Sequence, residues 1–81
     1  MTETATLSEA IVAEIRAEMA RQRRSGRAVA EAMGVTHIYL SRRLTGAVPL
    51  TVADLERVAQ ALNVSVLALL PTPASTAVPA A

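Results

Sequence analysis

The fold is decided by residues 24–46, which read RSGRAVAEAMGVTHIYLSRRLTG. A helix-forming run ends at Gly34, and glycine readily takes the positive φ at which helices stop. Thr36 is a favourable N-cap for the next helix, which we expect at about residues 37–45, ending at Gly46. This stretch therefore predicts two short helices joined by a tight turn.

The second of these helices is expected to have a buried side and a polar side. At about 100° per residue, Leu40 and Leu44 share one side, which we assign to the core. Tyr39 and Arg43 are four residues apart on a flank, where they could stack on each other. The opposite side, called the outer face below, carries His37, Ile38, Ser41, Arg42 and Thr45.

The N-terminal part predicts a longer first helix. The spacing of Thr6 and Glu9 is that of a capping box, in which each side chain bonds the other residue's backbone. An apolar stripe with helical spacing follows, formed by Ile11, Val12, Ile15 and Met19. This helix is expected to end near residues 23–26, because Ser25-Gly26 breaks the pattern, and the next helix then spans about residues 27–33.

The C-terminal part predicts a fourth and a fifth helix. Thr51 and Asp54 favour the start of helix four, and a core stripe follows at helical spacing. Its members are Leu55, Val58, Ala59 and Leu62. Ser65 can cap one more short turn, residues 66–70, which Pro71 ends and whose Val and Leu content suits it to cover the core or to meet another subunit. With this turn counted as a fifth helix, the chain is predicted to be all-α.

A chain of 81 residues has room for one small domain. We assign residues 6–70 to that domain, with the two central helices at about residues 26–46, and residues 1–5 to a flexible N-terminal arm. Residues 71–81 carry three prolines and no charge, so we expect a disordered tail. Cysteine is absent and His37 alone cannot build a zinc site, so neither a metal nor another cofactor is expected.

Positive charge is concentrated in the deciding stretch, although the net charge of the chain is only +1. Residues 21–43 carry six arginines against one glutamate, while acidic residues outnumber basic ones on both sides. Such clustering points to an anionic partner. All eight basic residues are arginine, which suits bidentate contacts to phosphate and guanine. A GC-rich genome explains the arginine bias equally well, so we give it little weight.

The central stretch resembles the helix-turn-helix of the lambda-repressor/Cro family. The resemblance is carried by Ala30-x-x-x-Gly34-Val35-Thr36, followed by Leu40-Ser41-Arg42 and Gly46. LTVADLERVAQALNVSVLALL is similar to the family's fourth and fifth helices, so that residues 8–70 are covered. The chain departs from the family at Arg43, where an apolar residue is usual. We expect Leu44 to take over that core contact, and the Arg43 guanidinium to reach toward solvent or phosphate.

The resemblance implies a compact five-helix domain that binds a double-stranded DNA operator sequence-specifically. Helix 37–45 would enter the major groove, and a homodimer, preformed or assembled on DNA, would bind two half-sites. Because only a short tail follows the domain, the chain is most similar to a small phage Cro or a minimal immunity repressor. No signal peptide and no apolar run of roughly 20 residues is present, so we expect a cytoplasmic protein without a membrane partner.

The positions that match the family's contacts fall into two sets. Those expected at base edges are His37, Ile38, Ser41 and Arg42. Those expected at phosphates are Arg24, Ser25, Arg27, Tyr39, Arg43 and Thr45. Arg42 is the candidate for a bidentate guanine contact and Ile38 for a thymine methyl. Each has a simpler interpretation: Arg42 and His37 could be solvated surface residues, and Ile38 could be partly buried if the helix is rotated.

Two other classes of function can be weighed. An enzyme is disfavoured, because no nucleophile with a paired base, no phosphate-binding glycine loop and no metal cluster is apparent, and no small-molecule substrate is expected. The serious alternative is an antitoxin or adaptor that uses the same fold mainly for protein–protein interaction. Such a module would not need a basic outer face, and its binding would not fall steeply with salt.

Overall fold

The computed structural model describes residues 6–71, which form four α-helices and one 3-10 turn. The helices are α1, Leu7–Gln22; α2, Gly26–Met33; α3, His37–Thr45; and α4, Val52–Leu62. The 3-10 turn is Val66–Leu69, and this part of the chain contains no strand. The predictions for residues 1–5, and for the tail from residue 72 onward, lie outside the described residues.

The all-α prediction is confirmed, and the count of five helices is wrong at its last member. Ser65 accepts a hydrogen bond from Leu67 N, and Leu70 N donates back to the Leu67 carbonyl. Pro71 then follows with no N–H to donate, so only one short turn fits between Ser65 and Pro71. The segment is therefore a single 3-10 turn.

A hydroxyl side chain begins every helical element. The N-caps are Thr6, Ser25, Thr36, Thr51 and Ser65, and each accepts a backbone N–H from the first turn that follows it. The predicted capping box of Thr6 and Glu9 is present, and Thr51 and Asp54, predicted only to favour the start of helix four, form a second box, because Glu9 and Asp54 each accept a hydrogen bond from the N-cap backbone. These caps satisfy donors that have no partner inside a helix, typically worth about 1 kcal/mol each.

The helices end in the left-handed region. Gly34 and Gly46 close α2 and α3 with φ of 77° and 88°, as the sequence predicts. The end of α1 differs in detail: Arg23, not glycine, takes φ of 56°, and Gly26 forms the start of α2. Ser25 is free to cap α2 because the chain has already turned at Arg23.

The core lies where α2 packs against both α3 and α4, and the 3-10 turn covers it from the side of α1 and α4. Its buried members are Ile11, Ile15, Val29, Ala30, Leu40, Leu44, Leu55, Val58, Ala59, Leu62 and Leu69. Leu40 and Leu44 are buried as predicted, whereas Ile38 on the outer face is 65% exposed. The rotation of α3 is therefore the predicted one. No helix among residues 6–71 is both long and apolar enough to cross a membrane.

Replacing Leu40 with alanine should destabilise the domain by about 2–5 kcal/mol, because it leaves a cavity between α2 and α3. Urea unfolding followed by circular dichroism measures the loss. Ile38→Ala is the matched control on the same helix, and its free energy of unfolding should stay near that of the wild type. Equal losses for the two variants would mean that α3 is rotated.

Candidate nucleic-acid interface

The outer face of α3 presents four polar side chains and one apolar side chain, Ile38, away from the core. His37, Ile38, Arg42 and Thr45 are exposed, and Ser41 is half-buried. Among the described residues, Arg42 has no ion pair within the domain. The Thr45 hydroxyl donates to the Arg42 carbonyl at 3.2 Å. Toward a partner outside the domain it can therefore act only as a hydrogen-bond acceptor. The structure thus brings the four predicted base-contact residues onto one accessible helix face.

His37 lies against the first turn of α2. A Cβ placed on Gly26 would come within 3.3 Å of His37 Nε2, tighter than most contacts to such an atom. Glycine at this position lets the imidazole pack back toward α2 while the residue remains exposed. In the sequence, Gly26 indicates only a break between two helices. The close approach of α2 and α3 at this glycine is visible only in the structure.

The start of α2 forms the second part of the predicted interface. Ser25 Oγ accepts from Ala28 N at 3.1 Å, and Arg27 is exposed in the first turn. Backbone N–H groups at a helix N-terminus favour an anion. Ser25 and Arg27 therefore stand where a phosphate would find both N–H donors and a positive charge.

Arg24 has a partner inside the domain that the sequence does not reveal. Its Nη1 donates to the Ala61 carbonyl at 2.6 Å, and Gln22 Nε2 donates to the neighbouring Leu62 carbonyl at 2.7 Å. The last carbonyls of α4 have no acceptor role inside the helix, and cations are favourable at this end. Arg24 thus caps α4 with one edge of its guanidinium, and a phosphate contact by Arg24 stays a prediction.

The flank of α3 is bonded to a buried carboxylate on α4. Asp54 is only 3% exposed, and its Oδ1 accepts from the Tyr39 hydroxyl at 2.5 Å. Its Oδ2 accepts from Arg43 Nε and from Thr51 N, each at 3.1 Å. The Arg43 guanidinium also lies 3.6 Å from the centre of the Tyr39 ring, so the predicted stacking is confirmed.

The direction predicted for the Arg43 guanidinium needs correction. The sequence predicts that this group reaches toward solvent or phosphate, but its side chain is only 17% exposed and Nε faces Asp54. The reason is the reach of Asp54 from the first turn of α4, which pattern analysis identified only as a helix cap. Phosphate contacts by Tyr39 and Arg43 remain predictions, and either would share the residue with Asp54.

The Asp54 carboxyl is held in its charged form. Burial alone would raise its pKa, but hydrogen bonds from Tyr39, from the Thr51 backbone and from Arg43 outweigh it and lower the pKa to about 2. The same hydrogen bond, with burial and the negative charge, raises the pKa of the Tyr39 hydroxyl. Both groups therefore keep their hydrogen bond over the whole neutral range.

The C-terminal end of α3 is bonded to α1. Arg16 Nη2 donates to the Leu44 carbonyl at 3.0 Å, which supplies an unpaired acceptor with a cationic donor. The sequence does not reveal this contact, because its partners are 28 residues apart. Among the described residues, no group of acidic, histidine or cysteine side chains is placed to hold a metal ion.

Acid should weaken the domain through Asp54. Its folded-state pKa of about 2 lies below the ordinary 3.8, so its stabilisation is complete above about pH 4 and is lost as the pH falls toward 2. The loss should be about 2 kcal/mol. Urea unfolding of the wild type and of Asp54→Asn from pH 6 to pH 2 tests this. The variant should lose less stability on acidification, and parallel profiles would contradict the assignment. Glu18, whose pKa is also lowered, titrates in both proteins.

The chain is similar to known proteins over most of its length. A family model described as helix-turn-helix domain matches residues 10–70. The chain is similar to the structure of the clp gene regulator ClgR from C. glutamicum, with a TM-score of 0.75 and 32% identity, over 82% of this chain and 86% of that one. It is also similar to the hypothetical transcription factor NHTF from Neisseria, with a TM-score of 0.77 and 20% identity, over 94% and 91% of the two chains. The second likeness shows the fold alone. Among curated proteins, none matches the chain.

Proposed function

The chain belongs to the helix-turn-helix domain family, and from this we propose that it is a sequence-specific, double-stranded DNA-binding transcriptional regulator. The observation that carries the proposal is the outer face of α3, where Arg42 is exposed on a helix whose other side is buried through Leu40 and Leu44. A helix of this kind fits the major groove. Within this class, we propose a Cro-type or minimal immunity repressor of a phage or mobile element, acting in the bacterial cytoplasm.

Base recognition is assigned to the outer face. Arg42 has the donor geometry for the O6 and N7 atoms of a guanine, and Ile38 can contact a thymine methyl. His37 and Ser41 can each hydrogen-bond a base edge near the N-terminal half of α3. The exposure of Ile38 supports this assignment, because a large apolar side chain in water is accounted for by an apolar partner on the DNA.

Backbone contacts are assigned to the two ends of the motif. Ser25 and Arg27 begin α2, and Thr45 ends α3, so they would meet the phosphate strands that border the groove. Arg24 and Tyr39 complete the proposed set, and each uses a polar group inside the domain, so a phosphate would bind only the remaining edge. Arg43, which the sequence predicts at a phosphate, is left out of this set because its Nε is paired with Asp54.

Dimerisation is assigned to the surface of the 3-10 turn, within residues 66–70. Leu69 is buried in the core, but Leu67 is 74% exposed, so the turn presents a large apolar side chain that a second copy of the chain could cover. A second copy meeting at this surface would give the two-fold arrangement that a two-half-site operator requires.

The alternative is an antitoxin or adaptor that binds protein. Leu7, Val52 and Leu67 are all exposed large apolar residues away from the outer face, and this favours some protein contact. Salt dependence separates the two functions. A DNA regulator should lose affinity steeply as salt rises, because phosphate contacts release counterions, whereas apolar protein contacts should hold.

Arg42→Ala should abolish the preference for the operator without lowering the melting temperature. The binding sites are first selected from random DNA, and the selected duplex is then compared with a scrambled one by mobility shift. Loss of a bidentate guanine contact corresponds to about 1–3 kcal/mol. Arg21→Gln is the control, since it removes the same charge from α1, and it should keep the preference. An Arg42→Ala variant that retains the preference would refute the assigned role.

Leu67→Ser should weaken self-association and binding to a duplex with two half-sites, while leaving the fold unchanged. Sedimentation of the wild type over a range of concentrations measures the association. Val52→Ser is the control, because Val52 is one methylene smaller than Leu67 and equally exposed, at 73%, but lies at the start of α4. A wild type that stays monomeric at high concentration, both free and on DNA, would eliminate this dimer surface.

A further inference from the structure

Asp54 lies outside the set of residues proposed to contact DNA. Asp54 is the one buried charged residue among residues 6–71, and its carboxylate accepts three hydrogen bonds, from Tyr39, Arg43 and the Thr51 backbone N–H. We propose that Asp54 is a positioning residue that sets the ratio of operator affinity to nonspecific DNA affinity. It would do so by fixing the flank of α3 and by withholding Arg43 from the phosphate backbone. The inference rests on the proposed function.

Asp54 fixes the position of α3 through two side chains of that helix. Tyr39 and Arg43 lie one turn apart on this helix, and they bond different oxygens of the same carboxylate. The carboxylate is itself fixed, because Oδ2 also accepts from Thr51 N in the capping box of α4. Any tilt or slide of α3 against α4 would have to break at least one of these bonds. Base readout depends on such a fixed pose, since the donors must meet base edges at hydrogen-bonding distance.

Asp54 also pairs with the positive charge of Arg43. Its pair with Asp54 is largely shielded from water, with the two side chains 17% and 4% exposed. The Arg21–Glu18 pair is different, because Arg21 is 59% exposed and can exchange partners easily. A phosphate that took Arg43 Nε would leave a buried carboxylate with one partner fewer, and an uncompensated buried charge is costly. Arg43 is therefore bound internally and does not add to the general attraction for DNA.

Fixing α3 favours operator binding, whereas withholding Arg43 from phosphates weakens nonspecific DNA binding. Nonspecific affinity comes from phosphates neutralised by basic residues, and each contact steepens the dependence of log affinity on log salt by about 0.9. Specific affinity adds the base contacts of a correctly placed helix. Removing the charge of Asp54 should release Arg43 to the phosphates and loosen α3. Nonspecific binding then gains while operator binding loses.

The experiment measures the affinities of five proteins for a selected operator and for a random duplex at several salt concentrations. They are the wild type, Asp54→Asn, Glu56→Gln, Arg43→Gln and the double variant that carries both Asp54→Asn and Arg43→Gln. Glu56 is exposed two residues from Asp54, so Glu56→Gln makes the same charge change on α4 without touching the cluster. All measurements are made at a temperature where circular dichroism shows each protein folded.

Asp54→Asn should raise random-duplex affinity several-fold, steepen its salt slope by about one contact, and lower the operator-to-random ratio by at least about tenfold. Glu56→Gln should leave the slope and the ratio near wild type. Arg43→Gln should also leave the random-duplex slope unchanged, because Arg43 makes no phosphate contact in the wild type. An Asp54→Asn, Arg43→Gln double variant should return the slope to that of the wild type.

Three results would overturn the inference. The first is that Asp54→Asn matches Glu56→Gln in slope and ratio, which would leave Asp54 with a stabilising role only. The second is that Arg43→Gln flattens the wild-type slope by one contact, which would show that Arg43 already binds phosphate. This second result stands even where Asp54→Asn does not fold. Finally, a wild type that binds no DNA would remove the proposed function together with the inference, whereas the first two results leave the proposed function intact.

Discussion

The helix that carries the outer face is too short to be stable alone. A nine-residue helix is marginal in water, so α3 depends on the side chains that hold it to the domain. Leu40 and Leu44 bury one side, Arg16 caps the last turn, and Asp54 bonds the flank. Each contact acts on a different side of the helix. Together they fix its rotation, its end and its tilt, and everything proposed about recognition follows from that placement.

The sequence predicted the features that local rules control. Thr36 and Gly46 bound α3 at the expected residues, because capping chemistry needs only neighbouring atoms. The buried side of α3 followed from helical spacing of Leu40 and Leu44. The family, in its broad helix-turn-helix form, also followed from the residues around Gly34. The short turn predicted between Ser65 and Pro71 is present in 3-10 form, and only its count as a fifth helix is wrong, because an apolar pattern of five residues does not distinguish a turn from a helix.

The features that escaped prediction join residues far apart in the chain. The Arg16, Arg24 and Gln22 bonds to backbone carbonyls span 28, 37 and 40 residues. Nothing in the pattern shows which helix end a long side chain will meet, because that depends on how the helices are arranged in space. The Asp54 cluster is similar, since Tyr39 and Arg43 are visible as a pair but their shared partner is not. The count of arginines in the deciding stretch therefore overstates the charge available to an anion.

The exposed and the bonded side chains of α3 are different residues, and this bears on how the sequence of such a protein could evolve. Ile38 and Arg42 point away from the domain, and within the described residues neither side chain bonds to it, whereas Leu40, Leu44, Tyr39 and Arg43 hold the helix in place. Substitutions at positions 38 and 42 therefore remove none of the contacts that hold α3 in place. Under the proposed function, the recognised bases could change through these two positions while the helix keeps its placement.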